Sequence, residues 1–166
     1  MPVRDVLRAP HPALKQVAAE GSVGPDAERV ARDLLDTMRS FPRCVGIAAP
    51  QIGELVRLVV VDASAHPKAT VAHGELVLVN PRVVESSGAE VAREGCLSIP
   101  DLTANVRRAT HIAVEAVTPA GEPVAIDTEG FEARCLLHEI DHLDGVLFLD
   151  RVDSLATDVF RRRSYG

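Results

Sequence analysis

The chain has 166 residues, of which 46% are hydrophobic and 25% charged, and this composition fits one globular domain with a buried core. Its formal net charge of −6 argues against a nucleic-acid-binding surface, and its three cysteines are too few for a disulfide framework. No apolar run is long enough for a membrane span or a signal peptide. We therefore expect a cytoplasmic protein with no membrane contact, and a monomer as its simplest state.

The first predicted element is a helix that opens at Pro25-Asp26, since proline is favoured in the first turn of a helix. It should end near Ser40, before Pro42. The apolar residues that follow with helical spacing are Ala27, Val30, Ala31, Leu34, Leu35 and Met38.

Strands dominate the middle of the chain. Residues 56–64 are short and β-branched, and residues 76–84 predict a second strand, broken at Asn80-Pro81, with a loop between the two. Residues 104–126 predict two strands joined by a turn around Pro119-Ala120-Gly121.

Helical periodicity returns from Thr128 to about Asp144, and Gly145 is well placed as a left-handed C-terminal cap. Because one helix precedes the strands and one follows them, the order of elements predicts an α+β fold rather than alternating βαβ units. We expect residues 1–166 to form a single domain with antiparallel or mixed sheets.

The second helix carries the sequence HEIDH. His138 and His142 are four residues apart, so both imidazoles lie on one face and can reach one cation. Glu139 is displaced by about 100° around the helix, where it can reach a water on that cation rather than the cation itself. The pattern alone is also compatible with a metalloprotease or with a polar stripe on a buried helix.

A third metal ligand is predicted in EGCLSIP, where Cys96 adds a thiolate to the two imidazoles. Three protein ligands leave a position for water, which the metal would acidify to a hydroxide nucleophile while Glu139 handles its proton. Cys135 is better interpreted as a core thiol, and Cys44 as a weaker candidate ligand. Asp141 points to another face of the helix and is expected to support the fold or the ligands.

The segment CVGIAAPQIG offers small side chains and one amide. Gly46 would let a peptide backbone approach closely, and Gln51 could donate its amide to a developing oxyanion. A tightly packed loop between helix and strand is the alternative interpretation.

Taken in order, GIAAPQ (residues 46–51), EGCLSIP (residues 94–100) and HEIDHLDG (residues 138–145) resemble the three motifs of peptide deformylases. The resemblance extends over nearly the whole chain. It implies hydrolysis of the N-formyl group from formyl-methionyl nascent peptides, with release of formate. It assigns the ligand role to Cys96, His138 and His142 and the acid/base role to Glu139.

The same resemblance implies a set of substrate contacts. Gln51 and the backbone amide of Leu97 would hold the formyl oxygen, while Val45, Gly46 and Ile47 would offer backbone to the peptide. Arg108 is expected to pair with Glu94 and to brace the pocket. The implied pocket for the methionine side chain comprises Val45, Glu94, Phe131, Arg134, Cys135 and His138.

The ligand set by itself favours zinc, whereas the resemblance implies one Fe(II) per chain, with nickel or cobalt as active substitutes and zinc often poorer. The implied partners are N-formylmethionyl peptides and, transiently, the ribosome. The basic cluster Arg161 to Arg163 is interpreted as a solvated tail, with a contact to ribosomal RNA as the alternative. The chain stops soon after the last motif, so we expect a long C-terminal docking helix to be absent or short.

Two positions depart from the family pattern. Cys44 stands where glycine is usual, and Leu137 stands where glutamine usually precedes the first histidine. The first could narrow the substrate entrance, and the second could alter packing behind the helix.

Two rival functions stay open at this point. A metalloprotease would need a downstream His or Glu ligand, and none follows His142. A protein that binds metal or peptide without turnover is the other rival, and the retention of Glu139 and Gln51 argues against it.

Overall fold

The computed structural model describes residues 3–162, which form two α-helices and two antiparallel sheets. The helices are α1 (Pro25–Arg39) and α2 (Gly130–Leu143). The strands are β1 (Gly46–Ala48), β2 (Leu58–Val61), β3 (Leu76–Ser87), β4 (Glu90–Cys96), β5 (Ile99–Arg108), β6 (His111–Val117), β7 (Pro123–Glu129) and β8 (Val159–Arg161). Short 3-10 helices lie at Pro12–Lys15, Ala49–Ile52 and Phe148–Arg151.

The larger sheet has the order β1-β2-β3-β6-β7 and lies between the two α-helices. Its strand β2 is buried along its whole length, which explains its uninterrupted apolar sequence. Because side chains alternate along a strand, Leu58 and Val60 pack with α1, whereas Val59 and Val61 pack with α2. The sheet therefore fixes both helices against one scaffold.

The smaller sheet has the order β4-β5-β8 and brings Cys96 to α2. The register of β4 and β5 shifts between Gly95 and Cys96, where the chain turns tightly back into β5. Cys96 and Ile99 belong to a third apolar cluster that also contains Leu14 and Phe148. The end of β4 is thus held by packing on both sides of the turn.

The predicted left-handed cap of α2 is confirmed. Gly145 has a φ of 73°, its N–H donates to His142 O at 3.2 Å, and Val146 N–H donates to Asp141 O at 2.9 Å. These two bonds form a Schellman motif, which satisfies carbonyls at the helix end and fixes the last turn that carries His142.

The predicted α+β fold is confirmed, with one helix before the strands and a second, after them, that carries HEIDH. In the part of the chain that the structure describes, no helix is long and apolar enough to cross a membrane.

The strand predictions need three corrections. Residues 104–126 do not form two strands, because the chain leaves the smaller sheet at Arg108 and enters the larger one at His111. The connection Ala109-Thr110 contains neither glycine nor proline and so gives no turn signal. The predicted break at Asn80-Pro81 is a register shift within a continuous β3, where Asn80 has a φ of 53°. The strand predicted at residues 56–64 is shorter than expected.

Candidate metal centre and active site

The three predicted ligands converge from two elements, the end of β4 and one face of α2. One ligand atom from each of Cys96, His138 and His142 lies within 4.8 Å of the other two, and Cys96 Sγ is 3.3 Å from His142 Nε2. All three side chains are buried. A thiolate with two imidazoles is a donor set that suits a divalent transition metal, so the residues present fit such an ion.

The pKa values of the three cysteine thiols are shifted in different directions by their surroundings, and only one of the three favours the thiolate. Burial alone would raise the pKa of the Cys96 thiol, but the adjacent His142 and His138 lower it well below its usual value. Burial raises the pKa of Cys44 to about 12, and it also raises that of Cys135. Since a metal binds the thiolate, Cys96 is the thiol prepared for this role.

Glu139 is a buried carboxylate beside the ligands. Among residues 3–162 its Oε1 atom has no hydrogen-bond partner, and burial raises the pKa of this carboxyl to about 7. A Cβ atom at Gly46 would lie 2.8 Å from Glu139 Oε2, so the absence of a side chain there makes room for the carboxylate. A group of this kind can accept and return a proton near neutral pH.

A buried ionic network holds His138 in place. Glu94 Oε1 lies 2.9 Å from His138 Nδ1, which leaves Nε2 for a metal. Arg108 donates two hydrogen bonds to Glu94, and Arg134 donates a third at 2.7 Å. Despite burial, the bonds from Arg108 and His138 lower the pKa of Glu94 well below its usual value. The predicted pairing of Arg108 with Glu94 is present.

Asp141 extends this network away from the ligands. It accepts hydrogen bonds from Arg108 at 2.6 Å and from Arg151 at 2.9 Å and 3.0 Å. The structure therefore places it behind the ligands, as expected of a supporting residue. Arg151 gave no local sequence signal, because the contact depends on how the chain returns after α2.

Gln51 lies against Cys96, one of the three predicted ligands. Its Oε1 accepts from Ala48 N–H at 3.0 Å, which directs Nε2 to Ser98 Oγ at 3.1 Å and Cys96 Sγ at 3.6 Å. The side chain is 2% exposed. An amide fixed in this way can donate to an oxygen atom that forms beside Cys96, and Leu97 also lines this space.

A cavity of about 330 Å³ opens over these groups. Its wall contains almost the whole set predicted to contact the substrate: Val45, Gly46, Gln51, Glu94, Leu97, Phe131, Arg134, Cys135 and His138. Ile47 is the exception, because its side chain is buried in the apolar cluster under α1. Its predicted role involves backbone atoms alone and stays a prediction.

Several residues of the cavity wall were missed by sequence reasoning. His66 stacks on Phe131 with ring centroids 4.0 Å apart, and Arg43, Lys68, Arg93 and Arg162 lie around the opening. Arg162 is thus part of the cavity wall rather than of a solvated tail, whereas Arg163 lies outside the described residues. Arg162 belongs to the basic cluster noted in the sequence, but nothing local connects that cluster, or the other four positions, with this cavity.

The two unusual residues lie on opposite faces of the site. Cys44 lines the cavity, and its thiol donates to Gly46 O over a distance of 3.3 Å. Leu137 points to the far side of α2, where it lines a second cavity of about 420 Å³ together with Ile140 and Asp141. The side chain at position 137 therefore faces this second cavity rather than the three predicted ligands.

Comparison with known proteins gives a consistent result. Residues 3–158 match the sequence model of the family described as polypeptide deformylase. The chain is 43% identical to a peptide deformylase of Thermomicrobium roseum over 162 residues, which cover 95% of this chain and 90% of that protein.

Solved structures agree with the sequence match. A Met-Ala-Ser-bound class I type b peptide deformylase from Acinetobacter baumannii has a TM-score of 0.83 and 34% identity, covering 90% of this chain and 99% of that one. A peptide deformylase from Thermotoga maritima has a TM-score of 0.83 and 31% identity, with coverages of 92% and 99%.

Proposed function

Because the chain belongs to the peptide deformylase family of metal-dependent hydrolases, which remove the N-formyl group from nascent peptides, we propose that Cys96, His138 and His142 hold its metal and that Glu139 moves the proton. The observation that carries the proposal is the convergence of three buried donors beside a carboxylate with an unpartnered oxygen.

The metal is proposed to be Fe(II) in the cell, with nickel, cobalt or zinc able to occupy the same three ligands. A divalent cation held there would supply Lewis acidity and would lower the pKa of water in the cavity. We propose that the protein works in the cytoplasm as a monomer, on N-formylmethionyl peptides and in transient association with the ribosome.

Glu139 is proposed to act as base and then as acid. It accepts a proton as a water oxygen adds to the formyl carbon, and it delivers that proton to the amine nitrogen as the carbon–nitrogen bond breaks. The products are formate and a peptide with a free amino group. Its pKa of about 7, raised by burial, suits both transfers near neutral pH.

Gln51 and the backbone N–H of Leu97 are proposed to stabilise the formyl oxygen as negative charge develops on it. The Gln51 amide would give up its contact with Cys96 Sγ to reach that oxygen, while its Oε1 stays held by Ala48 N–H.

The peptide itself is proposed to lie along β1, against backbone atoms of Val45, Gly46 and Ile47. The methionine side chain would enter the space beside Phe131 and Cys135. The related A. baumannii enzyme was solved with Met-Ala-Ser bound, which supports the proposal that a short peptide beginning with methionine binds to a protein of this fold.

Formate release tests the proposal. The protein would be loaded anaerobically with iron, nickel, cobalt or zinc and incubated with formyl-Met-Ala-Ser, with acetyl-Met-Ala-Ser as the matched control. We expect formate from the first peptide and no cleavage of the second. The proposal is overturned if no metal gives formate, and cleavage of internal peptide bonds would indicate a protease instead.

A further inference from the structure

Four basic side chains surround the opening of the active-site cavity. They are Arg43, Lys68, Arg93 and Arg162, and together they are called the cationic rim below. The chain as a whole carries a net charge of −6, so the rim is a local concentration of positive charge rather than part of a basic surface.

The rim has two opposing walls that come from different sheets. Arg43 precedes β1 and Lys68 follows β2, so this wall belongs to the larger sheet. Arg93 lies on β4 and Arg162 directly follows β8, so the other wall belongs to the smaller sheet. The positive charge along the cavity therefore comes from both sheets.

The wall of the smaller sheet is held in place by its own contacts. The Arg93 guanidinium lies 3.8 Å from the centre of the Phe160 ring and donates to Asn105 Oδ1 at 3.2 Å. The backbone N–H of Arg162 donates to Asp101 O at 2.8 Å. Its guanidinium occupies the space that a side chain at Gly95 would need. The charge of Arg162 therefore lies over the turn that leads to Cys96.

Three of the four rim side chains carry a charge that no carboxylate neutralises among the described residues. Within residues 3–162, no carboxylate forms an ion pair with Arg43, Lys68 or Arg93. The carboxylates in the cavity wall are Glu94, which is bound by two arginines, and Glu139, which is buried. Arg43, Lys68 and Arg93 can therefore attract an acidic group without first breaking an internal ion pair.

We propose that the cationic rim binds acidic side chains of the substrate downstream of its formylated methionine, so that this enzyme prefers nascent peptides with Asp or Glu near their third to fifth positions. An extended peptide advances about 3.3 Å per residue, so its third to fifth residues would lie roughly 7–13 Å from the methionine. This inference rests on the proposed function. A peptide fits better than a nucleic acid, because the charges line two walls of a cavity of about 330 Å³ rather than one open face.

A series of amidated peptides tests the preference: formyl-Met-Ala-Ser-Glu-Glu, its Gln-Gln analogue and its Lys-Lys analogue. For the metal-loaded enzyme at low salt, we expect kcat/KM for the Glu peptide to exceed that for the Gln peptide by about fivefold or more, and the Lys peptide to be the poorest. The differences should shrink at high salt, since exposed charges are screened.

The double variant Arg43→Gln/Lys68→Gln tests whether the preference for the Glu peptide depends on the cationic rim. We expect its ratio of kcat/KM for the Glu and Gln peptides to fall towards one. The control Arg82→Gln/Arg107→Gln removes two exposed charges outside the active-site cavity and should keep the ratio of the wild type.

The outcomes separate this inference from the proposed function. If no peptide releases formate, the proposed function fails. If the Gln peptide is deformylated but the Glu peptide has no advantage, only the inference is overturned. Equal peptide rates together with inhibition by a short single-stranded RNA at low salt would also overturn it, and would assign the rim to RNA.

Discussion

Cys96 differs from the other two cysteines through its neighbours rather than through the sequence around it. Two imidazoles adjoin its sulfur, whereas Cys44 and Cys135 face carboxylates and apolar groups that favour the protonated thiol. All three thiols line one cavity, so distance to the site does not distinguish them. The charge environment does, because a metal ligand must be a thiolate.

Replacing Cys44 tests this distinction. Cys44→Gly removes the thiol contact to Gly46 O and restores the residue usual at this position. We expect stoichiometric metal in Cys44→Gly and loss of most metal in Cys96→Ser, both measured by elemental analysis of the purified proteins. Loss of metal from Cys44→Gly with retention in Cys96→Ser would show that Cys44, and not Cys96, binds the metal.

At the scale of elements, Gly145 fixes the end of α2, and two separate structural features require a glycine at this position. Gly145 has a φ of 73°, and a Cβ atom at this position would lie 2.6 Å from Lys15 O. The cap therefore joins the helix end to the N-terminal 3-10 helix and holds His142 in the last turn of α2.

Gly145→Ala should lower the free energy of unfolding by about 2–4 kcal/mol, from left-handed strain and from the clash with Lys15. Gly74→Ala is the matched control, since Gly74 also has a φ of 73° but would place its Cβ in open space. Urea denaturation of both variants measures the difference. Equal losses would mean that the contact with Lys15 contributes nothing.

A second link between elements depends on pH. Asp150, in the 3-10 helix Phe148–Arg151, accepts hydrogen bonds from Lys15 Nζ and from Leu147 N–H. Although partial burial acts in the opposite direction, these bonds lower the pKa of Asp150. Its contribution to stability is therefore present above the unfolded pKa of about 4 and is lost as the pH falls through the lower folded value.

Asp150→Asn should consequently reduce the midpoint of urea unfolding at pH 7, and its difference from the wild type should shrink as the pH falls below about 4. Both proteins would be measured without metal. The control Asp153→Asn removes one partner of an exposed ion pair and should have little effect at either pH. A loss in Asp150→Asn that is constant with pH would contradict the account.

A structural feature could be predicted from the sequence when it depends on residues that are close together along the chain. The two helices and the pairing of His138 with His142 depend on spacings of three or four residues, which the sequence displays directly. The change of sheet at Ala109-Thr110 depends on long-range strand pairing. The contacts of Arg151 and Arg162 depend on the path of the chain after α2, so no local pattern predicts them.

At the scale of the whole molecule, the proposed metal site joins the smaller sheet to α2, which otherwise packs on the larger sheet. Cys96 supplies one end of this link, and His138 and His142 supply the other. A metal bound there would connect the two sheets through coordination as well as through packing.

Metal removal should therefore lower the melting temperature. We expect chelation to reduce Tm by at least about 5 °C under anaerobic conditions, and reloading to restore it. In Cys96→Ser the same treatments should change Tm little. A shift of equal size in that variant would indicate that the stabilising metal binds somewhere else.

The proposed reaction depends on Glu139 moving a proton beside a metal held by three other residues. The most direct test is the rate of formate release per bound metal, measured on one sample each of wild type and Glu139→Gln with formyl-Met-Ala-Ser. We predict equal metal content and a loss of at least about a hundredfold in rate for the variant. A Glu139→Gln enzyme that retains its metal and releases formate at a rate close to that of the wild type would contradict the proposed mechanism.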